Sequence, residues 1–271
     1  MSSDQVSSSL PAAVERFDPR EVDIQTGAHL SRYRFAAPYA IKGPVLDIAC
    51  SYGYGTDLLQ KSGSQPTFGA DLDLHSLRFA ANNHRGLKFI GGDAARMPFA
   101  SHSFMTVVSI ETIEHVPDAS AVLSEFARIL RPGGRLVMTT PNFDFRGHHS
   151  GNPFHIHEFR PDELRTLIER DFVVEHLLGQ RITRRAHNPF AFGVPIGLPV
   201  GTRTDDIAQQ STGSRQLEPL SQRLFARLPL FAKNVVWRTA FRLPYYPSED
   251  EFVFVPELAG APVMAIVARR I

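Results

Sequence analysis

Apolar positions along this chain form short continuous runs that alternate with runs spaced for a helix. Residues 45–49, Val-Leu-Asp-Ile-Ala, read as a buried strand, followed by a Gly-containing turn and a helix from Thr56. Residues 67–70 read as a second strand and 87–90 as a third, with a helix over 75–83 between them. Strands are expected again at 104–110, 135–140 and 172–178. Over 120–130, Val122, Leu123, Phe126, Ile129 and Leu130 make one helical face, and Arg131-Pro-Gly-Gly134 stops it. Pro161 suits the first turn of a helix over 161–170. Residues 28–40, with Leu30, Tyr33, Ala37 and Ala40 at helical spacing, predict a helix ahead of the first strand, and 263–268 is the last apolar strand. Strands alternating with helices predict an α/β class, a doubly wound and mostly parallel sheet.

The stretch between Leu178 and Val263 is too long for an ordinary connection and must carry structure of its own. It is rich in Pro, Gly and aromatic residues, among them Phe190, Phe225, Trp237 and Phe241. Leu224, Phe225 and Leu228 share one helical face while Arg223 and Arg227 share another. The expected organisation is a Ser-rich flexible segment over 1–27, a domain built from 28–180 and 249–271, and a basic, aromatic-rich, mainly helical insertion over 181–248. That insertion reads equally well as a lid and as a structural subdomain or oligomer contact.

Composition narrows the class. A 43% hydrophobic chain is not disordered. Cys50, the single cysteine, excludes an internal disulfide and a cysteine zinc site. No run reaches the roughly 18 apolar residues of a membrane helix, and residues 1–9 lack the basic start and apolar core of a secretory signal, so a cytoplasmic location is expected. The formal charge of +1 conceals a division. Residues 1–180 hold 17 basic and 21 acidic side chains, whereas 181–242 hold 10 and 3.

Chemistry gathers after the strands. Asp47-Ile-Ala-Cys-Ser-Tyr-Gly-Tyr-Gly55 follows strand one and opens a helix, where the backbone can approach a ligand and free amides face it. Asp71 ends strand two, where an acid can bind both ribose hydroxyls, and Gly92-Asp93-Ala94 follows strand three, where a carboxylate can accept from an adenine amino group. With Met97-Pro98-Phe99, Glu111-Thr-Ile-Glu-His-Val-Pro117 and residues 130–142, the order and spacing resemble the class I S-adenosylmethionine-dependent methyltransferases over about 28–180. A nicotinamide dehydrogenase would need a G-x-G-x-x-G that is absent.

The resemblance implies a Rossmann-like, seven-stranded sheet whose last strand, here 263–268, runs antiparallel in a hairpin that the insertion interrupts. It implies S-adenosylmethionine held by Asp47, Ala49 and Gly53 in the turn, with Gly53 under the methionine part. Asp71 and Leu72 would take the ribose side, Asp93 and the Ala94 amide the adenine, and the Ser109–Ile110 backbone the amino group. Arg32 or Tyr33 would reach the carboxylate end. The family usually has Gly where Ala49 and Ser51 stand.

The sulfonium carries the driving force, so the protein need only align an acceptor and, for a hydroxyl, remove its proton. Five of the 11 histidines fall between 115 and 157, after strands four and five. His115 and His157 are the candidate bases, with His155 able to substitute for His157, and His148 and His149 assigned to an exposed loop. Glu111, Glu114, His115 and His157 could instead hold Mg²⁺ or Mn²⁺. The pattern is similar to that of small-RNA 3′-end and ubiquinone-biosynthesis O-methyltransferases, where these positions serve a metal, but also to relatives where Glu114 and His115 only fix a loop. Asn142 and residues 152–159 resemble bacterial methyltransferases linked to glycan assembly. The expected activity is O-methylation of a small or carbohydrate-like acceptor, anionic if the basic insertion attracts it. The other readings are an RNA enzyme, though nucleic acid is not the favoured partner; a lipid or quinone enzyme in peripheral contact with a membrane; and a non-catalytic cofactor-binding scaffold.

Overall fold

The structure, a computed structural model, describes residues 24–40, 42–64, 66–183 and 252–271. In chain order the elements are α1 (Ile24–Ala36), β1 (Val45–Ile48), α2 (Tyr54–Lys61), β2 (Thr67–Asp71), α3 (Leu74–Asn83), β3 (Lys88–Gly91), β4 (Phe104–Ile110), α4 (Ala119–Ile129), β5 (Leu130–Pro141), α5 (Phe143–Arg146), α6 (Pro161–Ile168), β6 (Phe172–Ile182), β7 (Phe252–Val255) and β8 (Val263–Arg270). They form an α/β Rossmann-like fold around one sheet of order β3-β2-β1-β4-β5-β8-β6-β7.

β1 to β5 pair in parallel, and β8 inserts antiparallel between β5 and β6. The expected final antiparallel strand is therefore present. The strand count differs from the expected seven: the described residues give eight, because Phe252–Val255 pairs antiparallel with the end of β6. β6 itself runs on past Leu178 to Ile182. The predicted helical insertion lies, from residue 184 on, outside the described residues, as does the N-terminal segment up to residue 23.

Both faces of the central strands are covered, which is why they read as continuous apolar runs. Side chains alternate across the sheet. Leu46, Leu136, Met138 and Ile266 pack with Phe126, Leu123, Ile129, Leu164 and Ile168 from α4 and α6. Val45, Val137 and Val267 face the other way, against Tyr33 and Ala36 of α1 and Leu59 of α2. Arg131-Pro-Gly-Gly134 follows the end of α4 at Ile129, the stop expected of it. It forms an irregularity inside β5, where the register against β4 shifts between Phe104 and Thr106. A Cβ on Gly134 would lie 2.9 Å from the Arg131 carbonyl oxygen and 3.0 Å from that of Met105, so only glycine fits.

The order places a topological switch between β1 and β4, the two strands from which the sheet winds in opposite directions. In such sheets ligands bind outside the carboxyl ends of the strands at that point. The turn after β1 and residues 109–115, at and beyond the end of β4, meet there.

Candidate functional site

The turn after β1 is held from below by a buried acid. Asp47 accepts from Thr56 Oγ1 at 2.6 Å and from the Tyr33 hydroxyl at 3.2 Å. Burial pushes its pKa up to about 7, against the lowering effect of those two hydrogen bonds. Tyr33 itself packs so closely that a Cβ on Gly55 would sit 2.0 Å from its ring. Asp47 and Tyr33 therefore brace the turn from beneath. Tyr33 directs its hydroxyl to Asp47, away from the role expected of it at the methionine carboxylate.

The turn runs through left-handed backbone at Ala49 (φ 56°), Ser51 (φ 48°) and Gly53 (φ 79°). The two departures from the family's glycines thus stand at positions whose conformation favours glycine. The turn is tied to β2 by Cys50 N donating to the Ala70 carbonyl at 3.0 Å and Ser51 N donating to Asp71 Oδ2 at 2.8 Å. Asp71 Oδ1 accepts from Asp73 N at 2.8 Å. Each carboxylate oxygen has two acceptor sites, so Asp71 keeps capacity for a ligand while it braces the turn. Leu72 beside it is 75% exposed, an apolar surface standing at the mouth. Asp93 is also exposed and turns one oxygen back to Ala95 N at 2.9 Å. The loop behind Asp93 is fixed by a residue that periodicity did not mark. Glu125 of α4 accepts from Met97 N at 2.7 Å, and Arg128 at 2.7 Å holds the same carboxylate.

Ser109, next to the last residue of β4, pairs with Ile48 at the end of β1. Its hydroxyl and that of Ser51 are buried without a protein hydrogen-bond partner, the kind of unmet polar group that a bound ligand satisfies. Arg32 from α1 reaches the same edge. Its Nε donates to Gln180 Oε1 at 2.9 Å, and its Nη1 stands 3.3 Å from Glu111 Oε2.

A second cluster lies across the edge, after β4 and β5. Glu114 is fully buried, accepts from Thr140 Oγ1 at 2.9 Å through Oε2, and holds Oε1 without a hydrogen bond, 3.8 Å from His115 Nε2. Burial, then the nearby Glu111 charge, holds its carboxyl well above the usual range. The Glu114 carbonyl accepts from Ile156 N at 2.8 Å and His157 N at 3.2 Å, which pins the 154–157 segment to it. His115 Nδ1 donates to the Phe154 carbonyl at 2.9 Å. Glu114, His115 and His155 each bring an oxygen or nitrogen within 4.8 Å of the others.

This corrects the expected grouping. Glu111 belongs to Arg32 and to Thr139 Oγ1, which donates to it at 2.8 Å. His157 turns out to Glu163 of α6, 2.8 Å from Nε2, and stacks edge-on to Phe159. So the four residues Glu111, Glu114, His115 and His157 do not converge, and His157 is replaced at the cluster by His155. Two-residue alternation does not apply, because the amides of 156 and 157 bond one carbonyl and the chain bends there. His155 is held in turn by Glu158, 2.6 Å from Nδ1, and Glu158 also accepts from Ser150 N at 3.1 Å and from the Ser150 hydroxyl.

The family described as "Methyltransferase domain" matches residues 46–138. A probable S-adenosylmethionine-dependent methyltransferase of Mycolicibacterium smegmatis is 32% identical over 178 residues, 64% of this chain and 69% of that one. The chain belongs to the S-adenosylmethionine-dependent methyltransferases. A phthiotriol/phenolphthiotriol dimycocerosates methyltransferase of Mycobacterium ulcerans is 31% identical over 217 residues, 76% of each chain. A fatty-acid O-methyltransferase of Mycolicibacterium smegmatis is 31% identical over 142 residues, 48% of this chain and 52% of that one. The solved structure of a possible histamine N-methyltransferase from Thermotoga maritima superposes with TM-score 0.54 at 14% identity, covering 92% of both chains, and shares the fold.

In this methyltransferase the crevice at the β1/β4 switch fits S-adenosylmethionine by its donor set. It offers an acid with spare acceptor capacity at Asp71, an exposed apolar cover at Leu72, a second acid at Asp93, and unmet hydroxyls at Ser51 and Ser109. When bound, the sulfonium supplies an activated methyl group. Among the described residues, sequence reading missed Thr56, Glu125, Ser150 and Glu158. Each is a polar residue whose role depends on a neighbour far away in the chain or on local turns, and no periodicity marks it.

Proposed function

We propose that this methyltransferase transfers the methyl group to a hydroxyl oxygen of a lipid acceptor. The observation that carries the reading is the apolar exposure on the segments that hold the histidine cluster. Phe154 is 36% exposed and Ile156 56% exposed, on either side of His155, and Phe145 on α5 is 38% exposed. Phe154 and Ile156, held to His115 and Glu114 by their backbone, offer an alkyl chain a place to lie while its hydroxyl meets polar groups. Two relatives carry lipid names, and one of these names specifies O-methylation. Asp71, Leu72, Asp93 and the Ala94 amide would hold the nucleoside of the methyl donor, and Gly53 and the Ser109–Ile110 backbone its methionine. The hydroxyl proton would leave toward His115 or His155.

The basic segment 181–248 is proposed to carry acceptor choice and contact with an anionic membrane surface. Methyl transfer from labelled S-adenosylmethionine into extracts of the source cells, followed by phase separation, tests the acceptor class. Label in the organic phase is expected. Label confined to a water-soluble glycan would replace the lipid reading with the carbohydrate one, and label in RNA would replace it with the nucleic-acid one.

A further inference from the structure

We propose that Gln180 is the positioning residue that holds Arg32 ready for the carboxylate end of the methyl donor. The inference rests on the methyl-donor crevice at the β1/β4 switch and is independent of the acceptor.

Gln180 lies in the part of β6 beyond Leu178, where strand pairing was not expected. Its backbone is paired on both sides, with Val263 of β8 and Phe254 of β7, so the side chain leaves from a fixed point. The residue is buried. Its amide nitrogen donates to the Ala28 carbonyl at 3.0 Å and to the Ser31 hydroxyl oxygen at 2.7 Å. Ser31 gives its own proton to the same Ala28 carbonyl at 2.8 Å. A carbonyl oxygen can only accept, so the amide has one orientation, nitrogen toward Ala28 and oxygen toward Arg32. Oε1 then accepts from Arg32 Nε at 2.9 Å. The whole amide of Gln180 is thus committed to residues 28–32 of α1.

A guanidinium is a planar fork, so fixing Nε fixes where its terminal nitrogens point. Arg32 is 4% exposed, and its Nη1 is buried without a hydrogen-bond partner. Its charge partner, Glu111 Oε2, stands 3.3 Å away. Glu111 is held as well. Its amide donates to the Thr139 carbonyl at 3.0 Å, and its Oε1 accepts from the Thr139 hydroxyl at 2.8 Å. Its backbone is left-handed at φ 49°, a strained conformation of the kind found at functional sites. The two charges are therefore pinned from different strands, Arg32 from β6 and Glu111 from β5, with a buried N–H left unmet between them. Such a group costs stability until a ligand satisfies it.

An α-amino-acid end carries a carboxylate and an ammonium on one carbon. The carboxylate would meet Arg32 Nη1, and the ammonium would face Glu111. Glu111 follows directly on Ile110, beside the backbone proposed to face the methionine amino group. Tyr33 gives its hydroxyl to Asp47, which leaves Arg32 of the two residues expected at the carboxylate.

Calorimetry with two ligands tests this without an acceptor: S-adenosylhomocysteine, and S-adenosyl-3-thiopropylamine, which lacks only its carboxylate. Wild type should prefer the first. Gln180→Met keeps a side chain of similar length and removes both hydrogen-bonding functions. It should weaken S-adenosylhomocysteine binding roughly tenfold, the weight of one charge-assisted hydrogen bond, and leave binding of the decarboxylated ligand unchanged. Arg32→Lys, which leaves Gln180 in place, should show the same selective loss. Adding Gln180→Met to Arg32→Lys should cost nothing further, because Gln180 acts through the guanidinium. Equal loss of both ligands in Gln180→Met, or no loss, overturns the proposal. So does an added loss in the double variant, which would give Gln180 an effect of its own. Arg32→Lys with an undiminished preference for the carboxylate also overturns it, whether or not Gln180→Met folds. Wild type that binds neither ligand would overturn the crevice as the donor site, and this proposal with it. Wild type that binds both equally would overturn this proposal alone.

Discussion

Ala49 and Ser51 stand at φ 56° and 48° in the turn that approaches the methyl donor. Left-handed backbone costs an L-residue with a Cβ roughly 1–2 kcal/mol. Ser51→Gly should therefore raise stability by about 1 kcal/mol in thermal unfolding of the free enzyme, helped by removal of a buried hydroxyl without a partner. An unchanged or lower melting temperature would show that the serine hydroxyl holds the turn. Asp47 beneath it, with its pKa pushed up to about 7, gives a signed pH dependence. The folded state binds this proton where the unfolded chain has already released it. The contribution is thus complete at pH below the unfolded carboxyl range and is lost as pH rises toward 7. Asp47→Asn cannot ionise, so urea unfolding from pH 4 to 7 should show wild type losing stability relative to the variant, by at most about 1.4 kcal/mol per pH unit. A constant difference across that range would mean that Asp47 is charged throughout.

Among the elements, α2 depends on a close approach that only glycine allows. Gly55 lies in the first turn of α2, against the Tyr33 ring of α1, where a Cβ would come within 2.0 Å. Gly55→Ala must displace Tyr33, release its hydrogen bond to Asp47, and weaken S-adenosylhomocysteine binding in calorimetry along with stability. Unaltered affinity would separate α1 from the turn. The order of strands and helices was readable because β1, β4 and β8 are buried on both faces and carry long apolar runs. The acids at the ends of the parallel strands were readable for the same reason, since Asp47 lies within, Asp71 ends and Asp93 follows a run whose position was clear. β7 was not anticipated. Phe252–Val255 is four residues at the sheet edge with partly exposed side chains, too short to declare a period. Nor was the exchange of His157 for His155 readable. It depends on two successive amides sharing the Glu114 carbonyl, a bend that residue identities do not encode locally.

At the scale of the whole molecule, the sheet's switch point sets the donor crevice and the histidine cluster side by side, one after β1 to β3 and the other after β4 and β5. No helix among the described residues is long and apolar enough to cross a membrane. The basic character of 181–248 against the acidic 1–180 segment then suggests how a lipid would be met: at a surface, by charge first and by apolar contact second. Deleting 184–248 should spare S-adenosylhomocysteine binding and abolish acceptor turnover; intact turnover would remove the segment from acceptor choice. Asp71 is proposed to serve a methyl donor whose methyl group ends on a lipid. The direct measurement is transfer of radiolabelled methyl from S-adenosylmethionine into source-cell lipid by the wild-type chain and by Asp71→Ala. Wild type should label an organic-soluble product that releases no label on mild alkaline hydrolysis, as an ether would. Asp71→Ala should need at least ~10-fold more methyl donor, the weight of a charge-assisted hydrogen bond. Equal donor dependence in the two chains, or label only in water-soluble material, would contradict the account.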